Sequence, residues 1–133
     1  MWETYGLSDE GLLWAGTAFN AGIAGEQQAT CGAVSGSVVS LGLRYRCPPS
    51  EKDKGRQART DARRDASELF RSFVGKFGAV TCRDLLGLDF SKPEAYRKFQ
   101  ESDIWKDKCG KYVQFVVEKL YELDEKRSSG CVC

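Results

Sequence analysis

The sequence predicts an all-α protein, a compact single-domain helical bundle of about four to five helices. Apolar residues recur at steps of three and four through segments 56–77 and 107–126, which is the period of one buried helix face. Helix starts and stops punctuate the chain: Ser8-Asp9-Glu10, Thr81 with Asp84, Gly78, and Cys47-Pro48-Pro49. A length of 133 residues is enough for one core without disulfide staples.

A helix is expected from about Ser8 to Asn20, with Ser8 as cap and Asp9 and Glu10 in the first turn. Asn20 to Gly25 holds Gly22 and Gly25 and reads as a loop, a plain turn or a nest of N–H groups toward an anion or cluster sulfur. From Thr30 to Tyr45, Gly32, Gly36 and Ser40 recur every four positions, so a helix with one flat face is expected. Its opposite stripe, Val34, Val38, Leu41 and Tyr45, would supply core contacts. Prolines 48 and 49 end it, and Ser50 to Gly55 forms a surface crossing.

The clearest helix spans about Arg56 to Phe77, with Ala62, Ala66, Leu69, Phe70, Phe73 and Phe77 inward and Gly78 as its C-cap. Val80 to Gly87 reads as a short helical turn started by Thr81 and Asp84. Asp89 to Asp107 is expected to be a long loop with a turn or short helix. The last helix runs from about Asp107 to Lys126, with Val113, Val116, Val117, Leu120 and Leu123 inward. One domain thus covers residues 1–127, and 128–133 form a flexible tail ending Cys131-Val132-Cys133.

Composition narrows the function. Lys plus Arg number 20 against 19 Asp plus Glu, and the basic residues between 52 and 64 are interleaved with acids, so nucleic acid is not an expected partner. No apolar run of membrane-spanning length and no signal-peptide pattern is present, and a cytoplasmic location is expected. Histidine is absent, which removes His-ligated zinc, the CxxCH haem attachment and His-based general bases. Six cysteines then stand out as thiols, metal ligands or redox groups.

Cys31, Cys82 and Cys109 each fall at an expected helix start. Free N–H groups and the helix dipole there stabilise a thiolate and lower its pKa, which suits nucleophilic exchange or metal ligation. Buried free cysteines also serve as small core hydrophobes. The chain has no CxxC pair, so ligands would converge from separate helices. Cys47 at a helix end lacks the dipole's help and is left out of the site; the Cys131-Val132-Cys133 ending reads as an idle tail.

The segments TCGAVSGSVVSLGL (Thr30 to Leu43), FGAVTCRDLLG (Phe77 to Gly87) and CGKYVQFVVEKLYEL (Cys109 to Leu123) resemble the redox-active family named for its C, GCAxxG, C, C cysteine pattern. The similarity spans about Leu7 to Leu123. The resemblance implies a helical redox protein, similar to a domain of split-Soret cytochromes that carries an iron–sulfur cluster. It matches Cys31 to the cysteine of the glycine motif, Gly36 to its closing glycine, and Cys82 and Cys109 to the later cysteines. Cofactor contacts would come from Cys31, Gly32, Gly36, Cys82 and Cys109. The chain departs from the pattern where Gly32 separates Cys31 from Ala33, and the family's first cysteine would fall ahead of Met1. A longer natural start, a three-cysteine site, Cys47, or a second subunit in a homodimer each answers for the fourth cysteine.

Three functions follow. Cys31, Cys82 and Cys109 would hold an iron–sulfur cluster for electron transfer or redox sensing with an unidentified redox partner. Alternatively, two of these thiols cycle through a disulfide without metal. A non-catalytic helical interaction module with a degenerate site is the third.

Overall fold

The computed structural model describes residues 3, 4, 6 and 9–130, the last three by backbone alone. Ser8 and Cys131-Val132-Cys133 lie outside the described residues. The elements in order are α1 (Gly11–Ala15), a 3-10 turn (Thr17–Phe19), α2 (Gly32–Arg44), α3 (Lys52–Phe77), α4 (Cys82–Leu86), α5 (Pro93–Glu101), a π-helical segment (Trp105–Gly110) and α6 (Lys111–Gly130). Among the described residues there is no strand, only an isolated antiparallel bridge between Thr30 and Thr81. The all-α prediction holds.

The framework is a three-helix packing: α2 lies against α3 and α6, and α3 against α6. Leu41, Leu69, Phe73 and Leu120 are almost fully enclosed at its centre, with Val34, Val116 and Leu123 beside them. Each such side chain contributes about 1.5–3 kcal/mol by leaving water. Phe73, Phe77, Tyr112 and Phe115 close one end as an aromatic group, the Phe77 and Tyr112 rings meeting edge-on at 4.8 Å. At the other end Arg44 pairs with Asp124, while Tyr45 donates to the buried carboxylate of Asp65, which also accepts from Arg64.

Several expected features are corrected. The first helix is not continuous: Asp9 Oδ1 accepts from Gly11 N–H, but the helix stops at Ala15 and Gly16 passes the chain into the 3-10 turn. Val38 and Phe70, expected inward, are 41% and 40% exposed, because three-helix contact covers a narrower stripe than the full apolar face. On α6, Tyr112 rather than Val113 begins the buried row of Val116, Leu120 and Leu123, and Val113 turns outward at 50% exposure. The flat face of α2 is used at one end: a Cβ on Gly32 would stand 3.0 Å from the Phe19 carbonyl oxygen, whereas one on Gly36 would meet nothing within 4 Å.

Residues 89–107 are more ordered than a loop. Pro93 stands in the first turn of α5, where its missing N–H costs nothing. Phe90, Tyr96 and Phe99 form an aromatic group with centroids 5.1 and 5.3 Å apart. Helix α3 starts at Lys52, ahead of Arg56, and α6 continues past Lys126 to Gly130. No helix among the described residues is long and apolar enough to cross a membrane.

Candidate functional site: a cavity lined by three thiols

The segments before α2 and α4 are stitched together. Cys31 N–H donates to Val80 O at 2.8 Å, Cys82 N–H to Ala29 O at 3.4 Å, and Arg83 N–H to Gln27 O at 3.1 Å, flanking the Thr30–Thr81 bridge. Thr81 then starts α4 as expected, its hydroxyl accepting from Asp84 N–H at 3.3 Å and donating to the Asp84 carboxylate at 2.7 Å. Two cysteines in separate helices are thereby held side by side.

The third arrives from the π-helical segment that leads into α6. Lys108 donates to the Leu85 and Leu86 carbonyls at 3.3 and 2.9 Å, and the Tyr112 hydroxyl donates to Leu85 O at 3.0 Å. These bonds satisfy the C-terminal carbonyls of α4 and fasten it to the stretch that carries Cys109. Cys31, Cys82 and Cys109 all line one cavity of about 780 Å³, with Phe90, Tyr96 and Phe99 among its apolar walls.

Their local settings differ. Cys31 is the N-cap residue of α2 and Cys82 the first residue of α4. Cys109 lies inside the π-helical segment that leads into α6, not at a helix start. That corrects the expected equivalence: Ser102 Oγ accepts from Ile104 N–H, so helical structure begins ahead of Cys109. A π-helical stretch carries an extra residue per turn, which redirects side chains and recurs at functional sites.

The expectation of lowered thiol pKa is also overturned. Burial pushes all three thiols up from their ordinary value. The amides of Ala33 and Val34 pull Cys31 back in part, and the Gln27 amide does the same for Cys82. Charge on Cys31 further opposes ionisation of Cys82, and charge on both opposes that of Cys109. Tyr112 is raised too, by burial first and then by the three neighbouring sulfurs. Desolvation outweighs the dipole because α4 is short and the thiols sit against apolar walls.

The loop from Asn20 to Glu26 also lines the cavity. Ala21, Gly22, Ile23 and Ala24 have φ of 44°, 63°, 63° and 49°, a left-handed turn that costs roughly 1–2 kcal/mol at each non-glycine position. Bonds from Ala24 N–H to Ala18 O and from Gln27 N–H to Ala21 O hold it. Gly22 is required: a Cβ there would lie 2.8 Å from Ala29 O and 3.0 Å from Cys82 Cβ. Gln27, which reads as one of several polar loop residues, is completely enclosed beneath this turn. Sequence reasoning missed Gln27, Lys108 and Tyr112.

Of the other expected site residues, Gly32 lines the cavity and Gly36 does not. Cys47, likewise outside it, follows the far end of α2, whose 13 residues span about 20 Å from the Cys31 end. Gly130 closes α6, a 20-residue helix about 30 Å long that begins beside Cys109. Among the described residues no three His, Cys, Asp or Glu side chains are gathered so as to hold a metal ion.

Fold and site define a small all-α protein with a three-thiol cavity. The model of the family described as "Putative redox-active protein (C_GCAxxG_C_C)" matches residues 1–123, and the chain belongs to that family. No curated protein and no solved structure matches it.

Proposed function

We propose that the chain is a redox protein whose Cys31, Cys82 and Cys109 hold an iron–sulfur cluster for electron transfer or redox sensing. The observation that carries this reading is the arrival of three thiols, from three separate elements, at one cavity of about 780 Å³. Thiolates are the ligands iron–sulfur clusters take, each iron with its own, so the sulfurs need not crowd around one ion. That is consistent with the absence of an ion-sized site among the described residues. When bound, the cluster supplies one-electron chemistry; the chain supplies the thiolates, the apolar wall and the fastened geometry.

The thiol pKa values favour this reading over disulfide exchange. An attacking thiol works through its thiolate, and all three thiols are held in the protonated form. Metal binding displaces the proton and removes that obstacle. A fourth ligand does not come from Cys47 of the same chain, which stands at the other end of α2. Anaerobic purification followed by iron and acid-labile sulfide assay tests the proposal: both are expected, in comparable amounts, and a colourless protein lacking both contradicts it.

A further inference from the structure

Among the described residues, Gln27 is the one uncharged amide side chain sealed in the interior, at 0% exposure. Its backbone is pinned from both sides, N–H to Ala21 O at 3.0 Å and C=O from Arg83 N–H at 3.1 Å, with φ at 61°. A left-handed conformation is strained for a residue with a side chain. Its side chain spans two groups: Oε1 accepts from Phe90 N–H at 2.6 Å, and Nε2 faces Cys82 Sγ at 4.0 Å. The orientation of the amide follows from chemistry. Phe90 N–H only donates, so the oxygen must face it, and the donor end is left to the sulfur.

We propose that Gln27 is a positioning residue that sets the redox potential of the site, its Nε2–H donating to Cys82 Sγ while Phe90 N–H locks the amide in place. The inference rests on the cluster reading. A donor aimed at a cysteine sulfur stabilises the more negative, reduced state, so it raises the potential. Gln27 and Cys82 are both buried, so the bond between them is felt more strongly than at a surface. The Phe90 loop and the first residue of α4 are joined through this side chain.

The test uses wild-type protein, Gln27→Met and Gln27→Glu, all purified anaerobically. Iron and sulfide are assayed first, and the ratio of oxidised to reduced protein is then read by absorbance at a fixed ambient potential and alkaline pH. Gln27→Met fills the volume without a donor, and its ratio is expected to rise about tenfold with iron content unchanged. Gln27→Glu keeps the acceptor for Phe90 N–H, and with its new carboxyl ionised it shifts the ratio in the same direction. Where Gln27→Met fails to fold, Gln27→Glu decides alone. A loaded, folded variant with the wild-type ratio overturns the inference and leaves the cluster reading standing. Wild-type protein without iron and sulfide removes the cluster reading and this inference with it.

Discussion

The backbone N–H of Cys31 donates to the Val80 carbonyl at 2.8 Å, which ties the cap of α2 to the segment that opens α4 and so sets Cys31 beside Cys82. The bond is backbone to backbone, so it survives changes of either cysteine. The loop that packs against Cys82 constrains the same region.

Gly22 sits at that loop. Gly22→Ala would place a Cβ against Ala29 O and Cys82 Cβ at a φ of 63°, and a loss of about 2–4 kcal/mol is expected in urea unfolding. Gly36→Ala, in the interior of α2 with nothing within 4 Å, should instead gain about 0.5–1 kcal/mol and leave iron content untouched. Equal effects at the two glycines would contradict the packing described.

Lys108 bridges α4 to the helix that carries Cys109. Lys108→Met is expected to lose about 1–3 kcal/mol, since both carbonyls it serves are left without their ammonium donor. The same variant should hold iron more weakly than wild type. Unchanged urea midpoint and iron retention would remove the clamp from the account.

The three cavity thiols should be sluggish once metal is removed. With an anaerobic chelator present at about pH 7, Cys31, Cys82 and Cys109 are expected to react with iodoacetamide more slowly than free cysteine, because burial holds them protonated. Peptide mass analysis reads each site separately. Any of them reacting faster than free cysteine would revive thiol exchange as the chemistry.

Acid should weaken the α3–α6 contact. Lys119, then Lys126, hold the Glu68 carboxyl below the usual carboxylate range. Its contribution is therefore complete above the unfolded value, about pH 4.3, and is lost as pH falls through the lower folded value. The side chain is 39% exposed and the pairs are screened by solvent, so the effect is small. Comparing urea midpoints at about pH 6 and pH 3, Glu68→Gln should show a smaller fall than wild type; an equal fall would contradict the linkage.

Much of the fold was legible because it rests on local signals. The stripe of α3 through Leu69 and Phe73, the Gly78 cap with φ of 75°, and the Thr81–Asp84 start all appear as the residues predict. The three cysteines stand out in the sequence by their flanking motifs, and the structure brings all three to one cavity. The rest depends on distant contacts. Gln27 lies in a polar stretch that reads as solvated loop, and only Phe90, 63 positions later, gives its oxygen a reason to be inside. The π-helical segment around Cys109 carries no propensity signal. Nor does the left-handed turn beyond its two glycines, since Ala21, Ile23 and Ala24 disfavour it. Thiol pKa values were misjudged for the same reason: a helix start is visible in sequence, and burial is not.

The most direct measurement is iron retained after anaerobic purification of wild-type protein beside Cys31→Ser, Cys82→Ser, Cys109→Ser and Cys47→Ser. The account predicts equal iron and sulfide in wild type and Cys47→Ser, and loss of most of both in each of the other three. Iron absent from the wild type, or lost in Cys47→Ser while the cavity variants keep theirs, would contradict it.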